Sequence, residues 1–400
     1  MRLCYNANMR KKIITGIDIG TYATRVVICE IREGDTKPRV LGMGTAPTRG
    51  LRHGYVVSRQ DAVQSLLLAI GEAEKHAHVS VSNAYVALGG ISLASHVVSH
   101  TIDIKNAHHE VTEHDVNNGI TAMESMFQAQ YQNRKALHMI PISYELDGVP
   151  IPGVPYGLTG KRLLVKALCI SAFMHHVDDL MSVVSAANIS VKDIIASPVA
   201  ISEALLSQRQ RTAGCLVADI GAETVSLVVF EHDAPVSLEV LPIGSTDITN
   251  DIALGFQIPI DKAENLKIGK PDVSFSKKKI DHIIAARLED IFELIEQHLK
   301  RIHRNGLLPA GVVITGGGSQ LLRIDELARD HLRLPCQVVR GEYVQMLSGQ
   351  KVKMDASWFV AYGLCLHEVL YAENGVGEFA HSITSFVKSI GRKLGDNLLP

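Results

Sequence analysis

Asp18-Ile19-Gly20-Thr21, Asp219-Ile220-Gly221-Ala222 and Gly316-Gly317-Gly318 are the stretches of this chain whose residue types can do chemistry. A carboxylate followed by glycine and a small hydroxyl residue can hold a hydrated Mg²⁺ through the Asp. Its backbone N–H groups and the Thr hydroxyl are then free for phosphate oxygens. Asp18, Gly20 and Thr21 form one such set, and Asp219, Gly221, Ala222 and Thr224 form the second, half a chain later. The three glycines at 316–318 permit positive φ and a close backbone approach to a bound group.

These residues must be carried by strands. Ile13-Ile14 runs into Asp18 and the chain returns through Arg25-Val26-Val27-Ile28-Cys29, a hairpin with a polar tip. Ala218-Asp219 followed by Val225-Ser226-Leu227-Val228-Val229-Phe230 repeats that plan. Val312-Val313-Ile314-Thr315 predicts a strand aimed at the glycine turn, with Ser319 capping a helix that carries Leu321, Leu322 and Leu327. Any one of these turns is equally compatible with a structural role. Their repetition predicts a duplicated αβ domain with two hairpins facing each other across an inter-domain cleft, phosphates between the tips and adenosine near Gly316 to Gly318.

Composition sets the outer bounds. Four hundred residues of ordinary apolar content suit two large domains or one bilobed body. A net charge of −2 argues against nucleic-acid binding. No apolar run approaches the ~18 residues of a membrane span, and Met1 to Lys12 lacks a secretory apolar core, so a cytosolic chain is expected, with Met9 a possible start. Six scattered cysteines without a CxxC pair read as reduced thiols.

Between the motifs, Ala62 to His76 predicts a helix with Val63, Leu66, Leu67 and Ile70 inward, and Ile280 to Ile302 carries a long helical stripe. A helix is expected from about His175 to Ala187. His96, His100, His108, His109 and His114 invite a metal reading, but His109 to His114 misses the HExxH spacing by one residue, so they are expected to be surface histidines.

The two hairpins resemble the actin-like ATPase superfamily. Ala136-Leu137-His138-Met139-Ile140-Pro141, Gly157-Leu158-Thr159-Gly160-Lys161-Arg162-Leu163, Thr249-Asn250-Asp251-Ile252-Ala253 and Ala263-Glu264-Asn265-Leu266-Lys267, in that order, narrow the resemblance to the bacterial cell-division FtsA family, from about Lys12 to the C-terminus. The resemblance implies an α/β, actin-like (ribonuclease H-like) fold of duplicated αβ domains with an extra subdomain and a C-terminal amphipathic helix. It implies a first domain of 12–83, 166–212 and 352–371, and an inserted subdomain at 84–165 that makes subunit contacts. A second domain covers 213–245 and 305–351, and a small subdomain at 246–304 grips the tail of the tubulin-like protein FtsZ. ATP and Mg²⁺ are the implied ligands, with Asp18 and Asp219 at the metal, Gly244 near the phosphates and Glu264 and Lys267 at the ribose. The implied partners are FtsZ, other division proteins and further copies of the chain in filaments. The implied location is the inner face of the cell membrane at the division site.

The chain departs from that pattern at Ala222-Glu223, where an all-glycine tip is usual, and at Ser226, where Asp is common. A carboxylate facing a triphosphate is repelled unless it points away. Binding is therefore expected with weak or no turnover, and no general base is evident. A Lys common after Thr21 is missing, leaving Arg25 as the phosphate cation. The rival readings are a PilM-like actin-fold adaptor of pilus assembly and a small-molecule kinase; no GxxxxGK[ST] loop is present.

The C-terminus reads as a linker, 372–381, and an amphipathic helix, 382–399. At ~100° per residue, Ile383, Phe386, Val387, Ile390 and Leu394 share one face, with Lys388 and Arg392 opposite and Lys393 at the flank. That arrangement suits anionic lipid headgroups. Gly391 and Gly395 each cost about 1 kcal/mol of helix propensity, so the segment is expected to be largely unfolded in water. The alternative is a terminal helix docked on the body.

Overall fold

In the computed structural model of the chain, residues 11–32, 35–270, 272, 274–346 and 351–373 are described. Two sheets carry the motifs. The first has five strands in the order Ser190–Ala196, Asn83–Leu88, Lys11–Ile19, Ala23–Arg32, Arg39–Pro47. Its first hairpin, Lys11–Ile19 with Ala23–Arg32, is antiparallel, whereas Asn83–Leu88 runs parallel to both Lys11–Ile19 and Ser190–Ala196.

The helix Arg59–Ala77 covers this sheet by an alanine face, burying Ala62, Ala69 and Ala73 with Leu66 and Ile70. Leu67, expected inward, is 48% exposed, and Val63 is only partly buried. Gly42 and Gly44 explain the difference: a Cβ at Gly44 would stand 2.0 Å from the Ala69 carbonyl, so the helix lies too close for large side chains at the contact. The same device seats the last described helix, Phe359–Glu373. A Cβ at Gly16 would meet the Ala361 carbonyl at 2.1 Å, and one at Gly363 the Ala200 carbonyl at 1.9 Å. This helix includes the first two residues of the expected linker.

The second sheet has nine strands, Cys336–Val338, Val312–Thr315, Cys215–Ile220, Val225–Glu231, Ala234–Leu241, Ala94–Asp103, Arg162–Phe173, Arg134–Leu146 and Val149–Ile151 in spatial order. Its halves meet where Glu239 pairs with Ala94, and Ser95 Oγ both donates to the Leu238 carbonyl and accepts from the Leu238 N–H, at 2.9 Å each. Two expected boundaries are corrected here. Residues 84–88 belong to the first sheet, and the strand expected to return to the first domain, Arg162–Phe173, pairs along its length with Ala94–Asp103 and Arg134–Leu146. The inserted unit therefore spans about 94 to 173. Arg162–Phe173 is buried without a break from Ala167 to Ala172, so no period-two alternation marks which sheet it joins.

Leu137, Ile140, Leu168 and Ile170 pack into the core of the first lobe, as do Val217 and Val228. Their neighbours Met139, Ala167 and Cys169 join a core under the helix Glu113–Gln130, and Leu216, Leu227 and Val229 join a core under the helices beyond the second hairpin. Those helices include Ser245–Phe256, Ile260–Lys267 and Lys277–Arg301, the last burying Ile284, Leu288, Ile291, Phe292 and Ile295 along the expected stripe. Arg287 ties two of them together through a two-pronged contact with Asp251, at 2.7 and 3.0 Å.

His96 is not a surface histidine: its ring lies 4.9 Å from Tyr131 and 5.5 Å from Phe127, and burial lowers its pKa. The five described cysteines are free thiols. Among the described residues no helix is long and apolar enough to cross a membrane.

Candidate functional site

The two hairpins end in tips of the same geometry. Gly221 N–H donates to the Thr224 carbonyl at 2.9 Å, and a Cβ at Gly221 would meet that oxygen at 3.0 Å, as one at Gly20 would meet the Ala23 carbonyl at 3.1 Å. Side chains here would narrow a turn that already folds tightly on itself. Between the tips lies a cavity of about 560 Å³. Asp18, Gly20, Thr21 and Arg25 line it from the first hairpin, Asp219, Gly221, Ala222 and Thr224 from the second, and Gly316, Gly317 and Gly318 from the glycine turn. Glu264 and Lys267 line it from the small helical unit. Residues from four separate stretches thus converge on one volume.

Gly244 does not line the cavity. A Cβ there would lie 2.3 Å from the Ala222 carbonyl, so its role is to let the second tip sit on the start of the helix Ser245–Phe256. The first N–H groups of that helix are spent on the tip: Ser245 donates to the Gly221 carbonyl at 2.9 Å and Thr246 to the Ala222 carbonyl at 2.8 Å. Asp247 accepts from the Gly244 N–H at 2.8 Å and completes the cap.

Ser319 does not cap a helix either. Its hydroxyl donates to the Gly316 carbonyl at 2.7 Å inside a short 3₁₀ turn, Gly317–Gln320, and the following helix, Ile324–Leu332, begins after Arg323 in the left-handed region. Gly316 itself has φ 86°, and a Cβ on it would stand 2.2 Å from Asp219 Oδ1. A Cβ on Gly317 would meet nothing within 4 Å, so its open side is available to a ligand.

Glu264 and Lys267 are more than a surface pair. Lys267 Nζ lies 2.8 Å from Glu264, donates to the Ser245 carbonyl at 3.0 Å and contacts Thr249 Oγ1 at 2.8 Å; its side chain is 8% exposed. Thr249 in turn donates to Glu264 at 2.6 Å. The cation and carboxylate are held at the cavity wall by the helix that supports the second tip.

Asp18 and Asp219 dominate the electrostatics. Burial pushes Asp18 up to about 6, against the pull of Arg25, its cross-strand partner. Burial and then the charge of Asp18 push Asp219 up to about 7, with Arg25 opposing. Two carboxyls held above their ordinary range by burial, Asp219 also by the charge of Asp18, are a set whose strain a divalent cation would relieve.

Sequence reasoning missed part of the lining. Gly54, Gly89, Gly90 and Ser197 line the first-lobe side, and Ala356, Ser357 and Val360 line another part of the wall. The Gly89-Gly90 pair was a readable signal; the others carry none. The tail residues expected at a membrane, Ile383, Phe386, Val387, Lys388, Ile390, Arg392, Lys393 and Leu394, lie outside the described residues.

Comparison with known proteins agrees with this architecture. The chain is similar to MreB5 of Spiroplasma citri in a structure bound to ADP, with TM-score 0.52 at 13% identity, covering 92% of this chain and 99% of that one. It is similar to a chain of the PilM-PilN type IV pilus biogenesis complex, with TM-score 0.67 at 20% identity over 89% of this chain and 98% of that one. These neighbours and the paired hairpins define an actin-like fold. The family model described as cell division protein FtsA matches residues 216–356, and the SHS2 domain inserted in FtsA matches residues 90–171. The Pseudomonas aeruginosa cell division protein FtsA is 28% identical over 349 residues, 82% of each chain. The chain belongs to the FtsA family of bacterial cell division proteins.

Proposed function

We propose that the chain binds ATP with Mg²⁺ in the cleft and, as an actin-like filament, tethers FtsZ to the inner face of the cell membrane at the division site. The observation that carries this reading is the convergence of both hairpin tips, the glycine turn and the Glu264–Lys267 pair on one cavity. Thr21, Thr224 and the tip N–H groups suit phosphate oxygens, Arg25 supplies the cation, and Asp18 and Asp219 suit a hydrated Mg²⁺ between them. Glu264 and Lys267 stand where a ribose would need a donor and an acceptor, with the open face of Gly317 beside the base. The MreB5 neighbour, bound to ADP, supports nucleotide as the ligand class.

No residue is assigned as general base, and weak or absent turnover is the expectation, given Ala222-Glu223 at the second tip. Self-assembly is assigned to the inserted unit, the FtsZ tail to the small helical unit, and lipid contact to the C-terminal segment. A pilus-assembly role rests on fold similarity alone, whereas the FtsA matches extend to the inserted unit.

The test combines three measurements on the full chain. Fluorescent ATP should bind only with Mg²⁺, the FtsZ tail peptide should be retained on immobilised protein, and the chain should float with anionic vesicles while one ending at Glu378 stays in solution. Absence of Mg²⁺-dependent binding rejects the cleft assignment. Equal flotation of the truncated chain rejects the tail.

A further inference from the structure

Glu223 occupies the tip of the second hairpin, between two residues that line the cavity, yet its side chain leaves the cavity. Its Oε2 accepts from the His53 N–H at 2.5 Å, and the His53 ring, through Nδ1, donates to the Glu223 carbonyl at 3.2 Å. His53 belongs to the opposite lobe. It forms, with Gly54, the two-residue turn of a small hairpin in which Leu51–Arg52 pairs with Tyr55–Val56. Both turn residues have positive φ, 49° and 85°, the stiff arrangement typical of two-residue hairpins.

That hairpin is fastened to the first lobe. The Gly54 carbonyl accepts from His176 Nε2 at 2.9 Å, which leaves His176 Nδ1 to accept from the buried Ser92 hydroxyl at 2.5 Å. Tyr55 stacks on the His176 ring at 4.5 Å, and the backbone of Gly54 lies so close to Gly90 that a Cβ would stand 2.5 Å from its Cα. Gly54 and Gly90 both line the cavity. The hairpin is thus a rigid post on one lobe, and Glu223 is a hook on the other.

We propose that Glu223 latches the second hairpin tip to the His53–Gly54 turn across the cleft, holding the lobes together and slowing exchange of the bound nucleotide. The reading rests on the nucleotide assignment above. The two contacts are made by backbone and side chain of both residues, so the lobes separate only by breaking both together. A backbone N–H donating to a carboxylate makes one of the stronger bonds available at a partly buried site. The latch also keeps a negative charge turned away from the phosphate position. Glu223 is therefore a positioning residue, acting on the ligand through the lobes and not by contact.

The test uses the full chain with Glu223→Ala and Glu223→Gln; the amide oxygen of Gln still accepts from the His53 N–H. Hydrogen exchange of the 50–57 segment, measured without ligand, should accelerate in the Ala variant and stay near wild type in the Gln variant. Release of a fluorescent ATP analogue by stopped flow should be about tenfold faster in the Ala variant. Unchanged exchange in the Ala variant overturns the latch. Accelerated exchange with unchanged release overturns its control of the ligand. Wild-type protein that binds no nucleotide overturns the nucleotide assignment instead, and the ligand-free exchange experiment then decides the latch alone.

Discussion

The two hairpins share a geometry and differ in charge. Asp18 faces Arg25 across its hairpin, and at the same offset Asp219 faces Ser226. Tyr22 at the first tip is 70% exposed, and Glu223 at the equivalent place is bound to the other lobe. The first hairpin therefore carries its own counter-charge, while the second borrows it from across the cleft. The acidities follow: Asp18 rises to about 6 and Asp219, lacking a cation on its own hairpin and facing Asp18, to about 7. A duplicated backbone need not mean a duplicated role. One tip is suited to gripping charge and the other to sensing closure.

The largest expected effect comes from closing the space that the second hairpin shares with the glycine turn. Gly316→Val places a β-branched side chain at positive φ against Asp219, and nucleotide binding should fall by more than about 100-fold with a loss of stability of at least ~1–3 kcal/mol. Gly317→Val, with open space around it, should weaken binding with little change in thermal stability. Isothermal titration and thermal melts separate the two, and equal melting losses would refute the different roles given to these neighbours.

Next in size is removal of each carboxylate. Asp18→Asn and Asp219→Asn should each lower Mg²⁺-dependent affinity by about 10- to 100-fold, measured as binding with and without the cation. If either change leaves the Mg²⁺ dependence intact, that Asp is not at the metal.

The pH dependence distinguishes the hairpins more finely. Both carboxyls lie above the ordinary 3.8, so the folded chain holds protons that the unfolded chain has released. Their contribution to stability is present below that value and is lost as the pH climbs through about 6 for Asp18 and about 7 for Asp219. Melting temperature of the ligand-free chain should fall over this window, and Asp219→Asn should flatten the fall more than Asp18→Asn. Mg²⁺ affinity should rise across the same window. The smallest effect is a transplant: Ser226→Arg should give Asp219 a counter-charge and move the midpoint of Mg²⁺ binding to lower pH by about one unit. A midpoint that does not move would show that the missing cation is not what separates the two aspartates.

Much of this site was legible before any coordinates. Asp18, Asp219 and the glycines at 316–318 announce themselves because strand, turn and carboxylate are local patterns, and the repeat of one hairpin by the other gave them a common purpose. The sequence suggests a helix cap at Ser319 and a phosphate approach at Gly244, whereas the Ser319 hydroxyl folds back on Gly316 and Gly244 makes room for Ala222; sequence shows that a small residue is needed and not what approaches it. Helical periodicity puts Leu67 inward, whereas the sheet selects alanine through Gly42 and Gly44 on another strand. His53 carried no signal at all. Its importance comes from Glu223, and nothing within reach in the sequence points from one to the other. The ends of the inserted unit were missed for a related reason: Arg162–Phe173 is buried on both faces, and its partners cannot be read from its own residues.

The seam at Glu239 and Ala94 has a mechanical consequence. The inserted unit leaves the first lobe in sequence, yet its strands continue the sheet of the second, through one residue pair and the two bonds of Ser95. A pull on that unit by a neighbouring molecule would load the strand Ala234–Leu241, which is hydrogen-bonded along its length to the returning strand of the second hairpin. Tension applied to the inserted unit would thus have a short route to the cleft, passing through the single residue pair at the seam.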